Sequence, residues 1–92
     1  MLEKKMDAIQ YTRHAREKFE ILKRHGFDVT PEQVEATVLQ PEKTFPQAGG
    51  RRIAQKAITE LHVLRVVYRI EDDAPVVITF YPGRRERYER GI

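Results

Sequence analysis

Two arginines, a histidine and a tyrosine are the residues of this chain best suited to chemistry. Arg65 and Arg69 interrupt the strand-forming run LHVLRVVYRI at residues 61–70. A guanidinium is not deprotonated in proteins and is costly to bury, and its planar fork of donors matches the oxygens of a phosphate. His14 stands near the start of a predicted helix, beside Arg13 and Arg16. Free amides and the helix dipole favour anions there, and an imidazole in that place suits proton transfer near neutral pH. Thr79 and Tyr81 in PVVITFYP add two hydroxyls, and the tyrosine ring offers a stacking surface for an unpaired base.

Each of these residues also has a plainer reading. Arg65 and Arg69 can lie on a solvated face and pair with Glu60 or Glu71, and His14 can simply help to cap its helix. Arg84, Arg85, Arg87 and Arg90 with Tyr88 extend the basic surface or form a solvated terminal segment diluted by Glu86 and Glu89. The acidic triple Glu71, Asp72 and Asp73 reads as a turn between strands. The three histidines lack metal-ligand spacing, so no metal and no cofactor are expected.

Composition narrows the chemistry further. The 92-residue chain contains no cysteine, serine, asparagine or tryptophan, which excludes disulfides and both serine and cysteine nucleophiles. The balance of 17 Lys and Arg against 14 Asp and Glu leaves a formal net charge of +3. The excess falls wholly in residues 51–92, and mostly on arginine, which favours a polyanionic partner. No apolar run is long enough to span a bilayer, and the start of the chain does not read as a signal peptide. A cytoplasmic protein without a membrane partner is the expectation.

The elements that position these residues follow from local signals. Thr12 caps a helix that Gly26 ends, with Ala15, Phe19 and Leu22 as its buried stripe. A second helix starts with Thr30 as N-cap, Pro31 in the first turn and Gln33 completing a capping box, with Val29 stapled to Val34. It stops before Pro41. Period-two patterning then predicts strands at 51–59, 61–70 and 75–82, with a weaker candidate at 43–46. Residues 46–50 and 71–75 form the turns.

The resulting expectation is a single α+β domain over residues 1–92, with a core at about 11–82 and a basic tail at 83–92. Two N-terminal helices pack on one face of a three- to four-stranded antiparallel sheet. Strict alternation puts Leu64, Val66, Tyr68 and Ile70 with Val76, Ile78 and Phe80 toward the helices. Val63, Arg65, Val67 and Arg69 then share the outer face with Val77, Thr79 and Tyr81. Lys56 or Gln55 joins them according to a register that one sequence does not fix.

The segments YTRHAREKF, HGFDVTPEQVEATVLQPE, RVVYR and VVITFYP resemble the family catalogued as domain of unknown function 4258. The resemblance covers about Tyr11 to Pro82, and that family is similar to the RelE-like and BrnT-like toxins of bacterial toxin–antitoxin systems. It implies a RelE-like fold and a metal-independent endoribonuclease in which the RNA 2′-hydroxyl is the nucleophile. His14, Arg65 and Tyr81 become the catalytic residues, Lys56, Arg69, Thr79, Arg84 and Arg85 the RNA-binding ones, and an antitoxin protein becomes a partner. Two other classes fit the same residues: a non-catalytic RNA-binding module, and a protein-interaction domain using Val63, Val67 and Val77.

Overall fold

The computed structural model describes residues 9–89; the reading of the chain start as no signal peptide falls largely outside them, as does Arg90. The elements are β1 (Gln10–Tyr11), α1 (Arg13–Arg24), α2 (Pro31–Leu39), β2 (Lys43–Pro46), a 3-10 turn (Ala48–Gly50), β3 (Arg51–Ala57), β4 (His62–Glu71), β5 (Ala74–Arg84) and α3 (Arg85–Glu89). They build an α+β fold on a five-stranded sheet in the order β1-β5-β4-β3-β2. All neighbours are antiparallel except β1, which runs parallel to β5. The expected three or four antiparallel strands are therefore corrected to five in a mixed sheet. A strand as short as β1 escapes sequence patterning because two residues carry no period.

Both long helices begin and end as their cap chemistry dictates. Thr12 Oγ1 accepts from Ala15 N at 3.1 Å. At the other end Gly26, at φ 90°, returns its amide to Lys23 O, while Phe27 N reaches Leu22 O at 2.9 Å, a Schellman turn that needs the left-handed glycine. In α2, Thr30 Oγ1 accepts from Gln33 N and the Gln33 side chain accepts from Thr30 N at 3.0 Å, closing the capping box.

The core lies between the two helices and one sheet face. Ala15, Leu22, Val34 and Val38 meet Ala54, Leu64, Val66, Tyr68, Val77 and Phe80, with Ile9 joining from the start of the described chain. Tyr11, Phe19 and Phe80 form an aromatic ladder, with ring centroids 5.9 and 4.6 Å apart at its two steps. Ile70, expected in this core, lies beyond it and is exposed.

One irregularity in β5 determines which side chains reach the outer face. Val67 pairs with Thr79 but Tyr68 pairs with Val77, so Ile78 is an extra residue in a β-bulge. The bulge reverses the phase of the strand. Thr79 and Tyr81 face outward and Phe80 inward, as alternation predicts, but Val77 is buried in the helix-side core and Val76 takes the outer row. The expected facing of these two valines is thus reversed.

The hairpin turn and the start of the sheet each carry a testable energetic consequence. The turn consists of Asp72 and Asp73 at φ 52° and 64°, two left-handed residues where aspartate is tolerated but glycine fits without strain. Asp73→Gly should therefore stabilise the fold by about 0.5–1 kcal/mol; an unchanged or lower melting temperature would contradict it. Tyr11 donates its hydroxyl to Glu35 Oε2 at 2.9 Å. Burial, then that hydrogen bond and the nearby Glu35 and Glu32 charges, hold the Tyr11 phenol well above its ordinary range. The folded state keeps this proton after the unfolded chain loses it, so the contribution is full below about pH 10 and is lost as pH rises beyond it. Tyr11→Phe should flatten the alkaline limb of a stability-versus-pH curve, and an unaltered limb would exclude this group as its source.

Candidate functional site

The face of the sheet opposite α1 and α2 presents its residues in cross-strand rows. The central row runs Lys43, Gln55, Arg65, Tyr81 from β2 to β5, and the next runs Phe45, Ile53, Val67, Thr79. Beyond these, a row runs Arg51, Arg69, Val76 from β3 to β5. Toward the other end Ala57, Val63 and Gly83 form a row of small residues. A basic strip thus borders an apolar one.

Arg65 is the organising group of this face. Its Nη1 donates to Gln55 Oε1 at 2.6 Å and its Nε to the Tyr81 hydroxyl at 3.1 Å. Gln55 is only 2% exposed, so this hydrogen bond satisfies a buried acceptor that would otherwise be costly. The guanidinium carbon stands 4.5 Å from the Tyr88 ring centroid, 5.2 Å from Phe45 and 5.9 Å from Tyr81, within the range of cation–π attraction. No carboxylate pairs with Arg65 among the described residues. Of five guanidinium N–H donors, only those bonding Gln55 and Tyr81 are used by described residues. The charge is therefore oriented but not neutralised by any described residue.

The bulge brings His14 to the same face. Thr12 N donates to Val77 O at 3.0 Å, and Thr12 Oγ1 donates to Ile78 O at 3.2 Å, which pins the start of α1 to the bulged stretch of β5. Two residues on, His14 Nε2 lies 3.2 Å from Thr79 Oγ1. His14 thus reaches round the sheet edge to a residue two positions from Tyr81. Two residues of strand span about 7 Å, so the imidazole enters the outer face at the row next to the one that holds Arg65 and Tyr81.

The other predicted residues disperse. Lys56 pairs with Leu64 and so points to the helix side; register gives the place beside Arg65 to Gln55, which corrects the assignment of Lys56. Arg69 lies on the outer face but is ion-paired with Glu71, the plainer of its two readings, in an exposed pair of little energetic weight. Arg84 stands opposite His62 and beside a cavity lined by Glu60, Leu61, His62, Arg85 and Glu86. Arg85 binds Glu89 at 3.1 Å within α3. Neither arginine joins the Arg65 cluster. Val63 is fully buried and Val77 belongs to the core, which removes most of the exposed apolar surface expected of an interaction face.

Sequence reasoning missed Phe45, Gly83 and the place of Tyr88. Phe45 lies in a four-residue strand that patterning marks only weakly and without a facing, and Tyr88 comes over the sheet only because α3 (Arg85–Glu89) folds back. Among the described residues no group of three or more histidine, cysteine or acidic side chains is arranged to hold a metal, and no helix is long and apolar enough to cross a membrane. No protein-family model matches the chain, and neither a curated protein nor a solved structure matches it.

Proposed function

We propose that the outer sheet face binds RNA and that the protein is a metal-independent endoribonuclease of the RelE-like or BrnT-like kind, acting through the RNA 2′-hydroxyl. The observation that carries this reading is Arg65, a guanidinium with no carboxylate partner among the described residues, its Nε on the Tyr81 hydroxyl, with His14 on Thr79 in the adjoining row.

Three side chains divide the reaction between them. The 2′-oxygen attacks the adjacent phosphorus, and its proton passes to His14, whose Nδ1 is the basic nitrogen when Nε2 donates to Thr79. Charge that builds on the phosphorane oxygens is met by the unused N–H groups of Arg65. The P–O5′ bond breaks, and the departing 5′-oxygen takes a proton from Tyr81. That hydroxyl already accepts from Arg65 Nε, so its own hydrogen is free to be donated. The products are a 2′,3′-cyclic phosphate and a 5′-hydroxyl, and the scheme uses neither serine nor cysteine, both absent from the chain.

The test is mixed-sequence RNA incubated with the protein in excess chelator. Fragments ending in 2′,3′-cyclic phosphate are expected, and His14→Ala should suppress them. Intact RNA that is nevertheless bound, with affinity falling steeply with salt, would replace the enzyme by a binding module. The Phe45 and Tyr81 rings beside Arg65 suit that second reading equally, since aromatic stacking serves binding as well as cleavage. A toxin would also bring an antitoxin partner, for which a small acidic protein is the chemical expectation.

A further inference from the structure

Gly83 has no conformational need to be glycine, since its φ lies outside the left-handed region, yet a Cβ there would stand 2.2 Å from Tyr88 Cε2 and 2.6 Å from Cδ2. The glycine makes a seat for the Tyr88 ring against the sheet. Directly across from it, Val63 is 0% exposed although it faces away from the helix-side core. α3 packs on β4 and β5 at this corner, so the ring on Gly83 and the buried valine belong to one small closure beside Arg65.

Among the described residues little else holds α3 in place. None of its five residues is buried, and a helix so short does not persist on its own in water. Its tie to the rest of the chain at the first residue is one backbone bond, Arg85 N to Leu61 O at 2.9 Å, and the Arg85–Glu89 ion pair lies within the helix itself. Tyr88 is therefore the principal anchor, and it rests 4.5 Å from the Arg65 guanidinium carbon. A ring over a guanidinium is also the arrangement a nucleobase adopts on an arginine.

We propose that α3 is a hinged cap: in the free chain Tyr88, seated on Gly83, occupies the face of Arg65 that an unpaired RNA base takes, and RNA binding displaces it. The identity of the displacing ligand rests on the reading of the outer face as an RNA site; the cap itself rests on the Gly83–Tyr88–Arg65 geometry alone. Because only the open form is competent, apparent affinity is reduced by the fraction of chains that are open. The closure lowers non-productive exposure of Arg65 and Val63 at the expense of affinity.

Gly83→Ala drives the ring from its seat while keeping Tyr88 in the chain, Tyr88→Ala removes the anchor, and Tyr88→Phe preserves it. Two readouts separate the cap from its ligand. The rate of phenylglyoxal modification at Arg65, resolved by peptide mass spectrometry, should rise about tenfold in Gly83→Ala and Tyr88→Ala and stay at the wild-type value in Tyr88→Phe, a shift from a mostly closed to an open population. Hydrogen exchange at residues 85–89 should lose protection in the same two variants while β4 and β5 keep theirs. Binding of a single-stranded oligouridine should tighten in Gly83→Ala, again by about tenfold. Equal modification rates in all the proteins overturn the cap. Faster modification in the two released variants with no RNA bound by any protein upholds the cap and overturns the RNA reading. Faster modification with RNA bound no more tightly by Gly83→Ala overturns the competition between ring and base.

Discussion

Alanine at position 65 should abolish the proposed RNA cleavage, by a factor of about 10²–10³ or more, as expected for loss of a group proposed to meet charge on the reacting phosphate. The same substitution should also lower stability, because Gln55 Oε1 is buried and loses its donor. An orphaned buried acceptor costs about 1–3 kcal/mol. The two effects can be separated. Gln55→Leu in the Arg65→Ala background removes the orphan and should restore much of the stability while cleavage stays absent. Arg65→Lys is the stricter test, since an ammonium keeps the charge but lacks the planar fork that holds Gln55 and Tyr81 at once; cleavage should remain strongly depressed. If Arg65→Ala folds and cleaves at the wild-type rate, Arg65 is not the phosphate-binding group and the proposed site fails with it.

Phe80→Ala should have the largest effect on the fold itself. Phe80 is 0% exposed and is the largest of the fully buried side chains. Its ring lies 4.6 Å from that of Phe19, so it joins β5 to α1 at the end of the aromatic ladder nearest the sheet. Truncation of a buried phenylalanine costs about 3–5 kcal/mol in lost transfer energy and residual cavity. A domain of this length has a total stability of roughly 5–14 kcal/mol, so about a fifth of it or more would go, with a fall in melting temperature of roughly 15–30 °C. Urea unfolding provides the check. Leu61→Ala is the natural comparison, since Leu61 is 72% exposed and should change stability by less than about 0.5 kcal/mol. A loss at Phe80 no larger than that at Leu61 would place the centre of the core elsewhere.

The parts of the molecule legible in its sequence are those written in local chemistry. Thr12, Gly26, Thr30, Pro31 and Gln33 announce the helix ends because each satisfies or forgoes a specific backbone bond. The alternation in β4 separates Leu64, Val66 and Tyr68 from Arg65 and Arg69 because a half-open sheet needs two unlike faces. What stays hidden depends on relations between distant residues. Whether Gln55 or Lys56 stands beside Arg65 is a matter of register, and a shift of one residue reverses the answer. The bulge at Ile78 leaves no mark in a run of apolar residues, so Val76 and Val77 exchange faces unannounced. Tyr88 reads as part of a charged tail until the chain folds back on Gly83. Arg69 and Glu71 are open to two readings because their pairing depends on side-chain placement.

The parallel pairing of β1 with β5 has a consequence for how the chain is made. Thr12 and Ile78, the residues that fasten the start of α1 to the sheet, are 66 positions apart. At about 5–20 residues per second of synthesis, the first waits roughly 3–13 s for the second to be polymerised. During that interval Tyr11, Phe19 and the buried stripe of α1 lack the strand that covers them, whereas the β4–β5 hairpin, once it emerges, closes in about 1–10 μs. The nascent N-terminal half therefore presents its apolar face to water or to a chaperone for seconds, and folding of the sheet's β1 edge is timed by translation of the last strand.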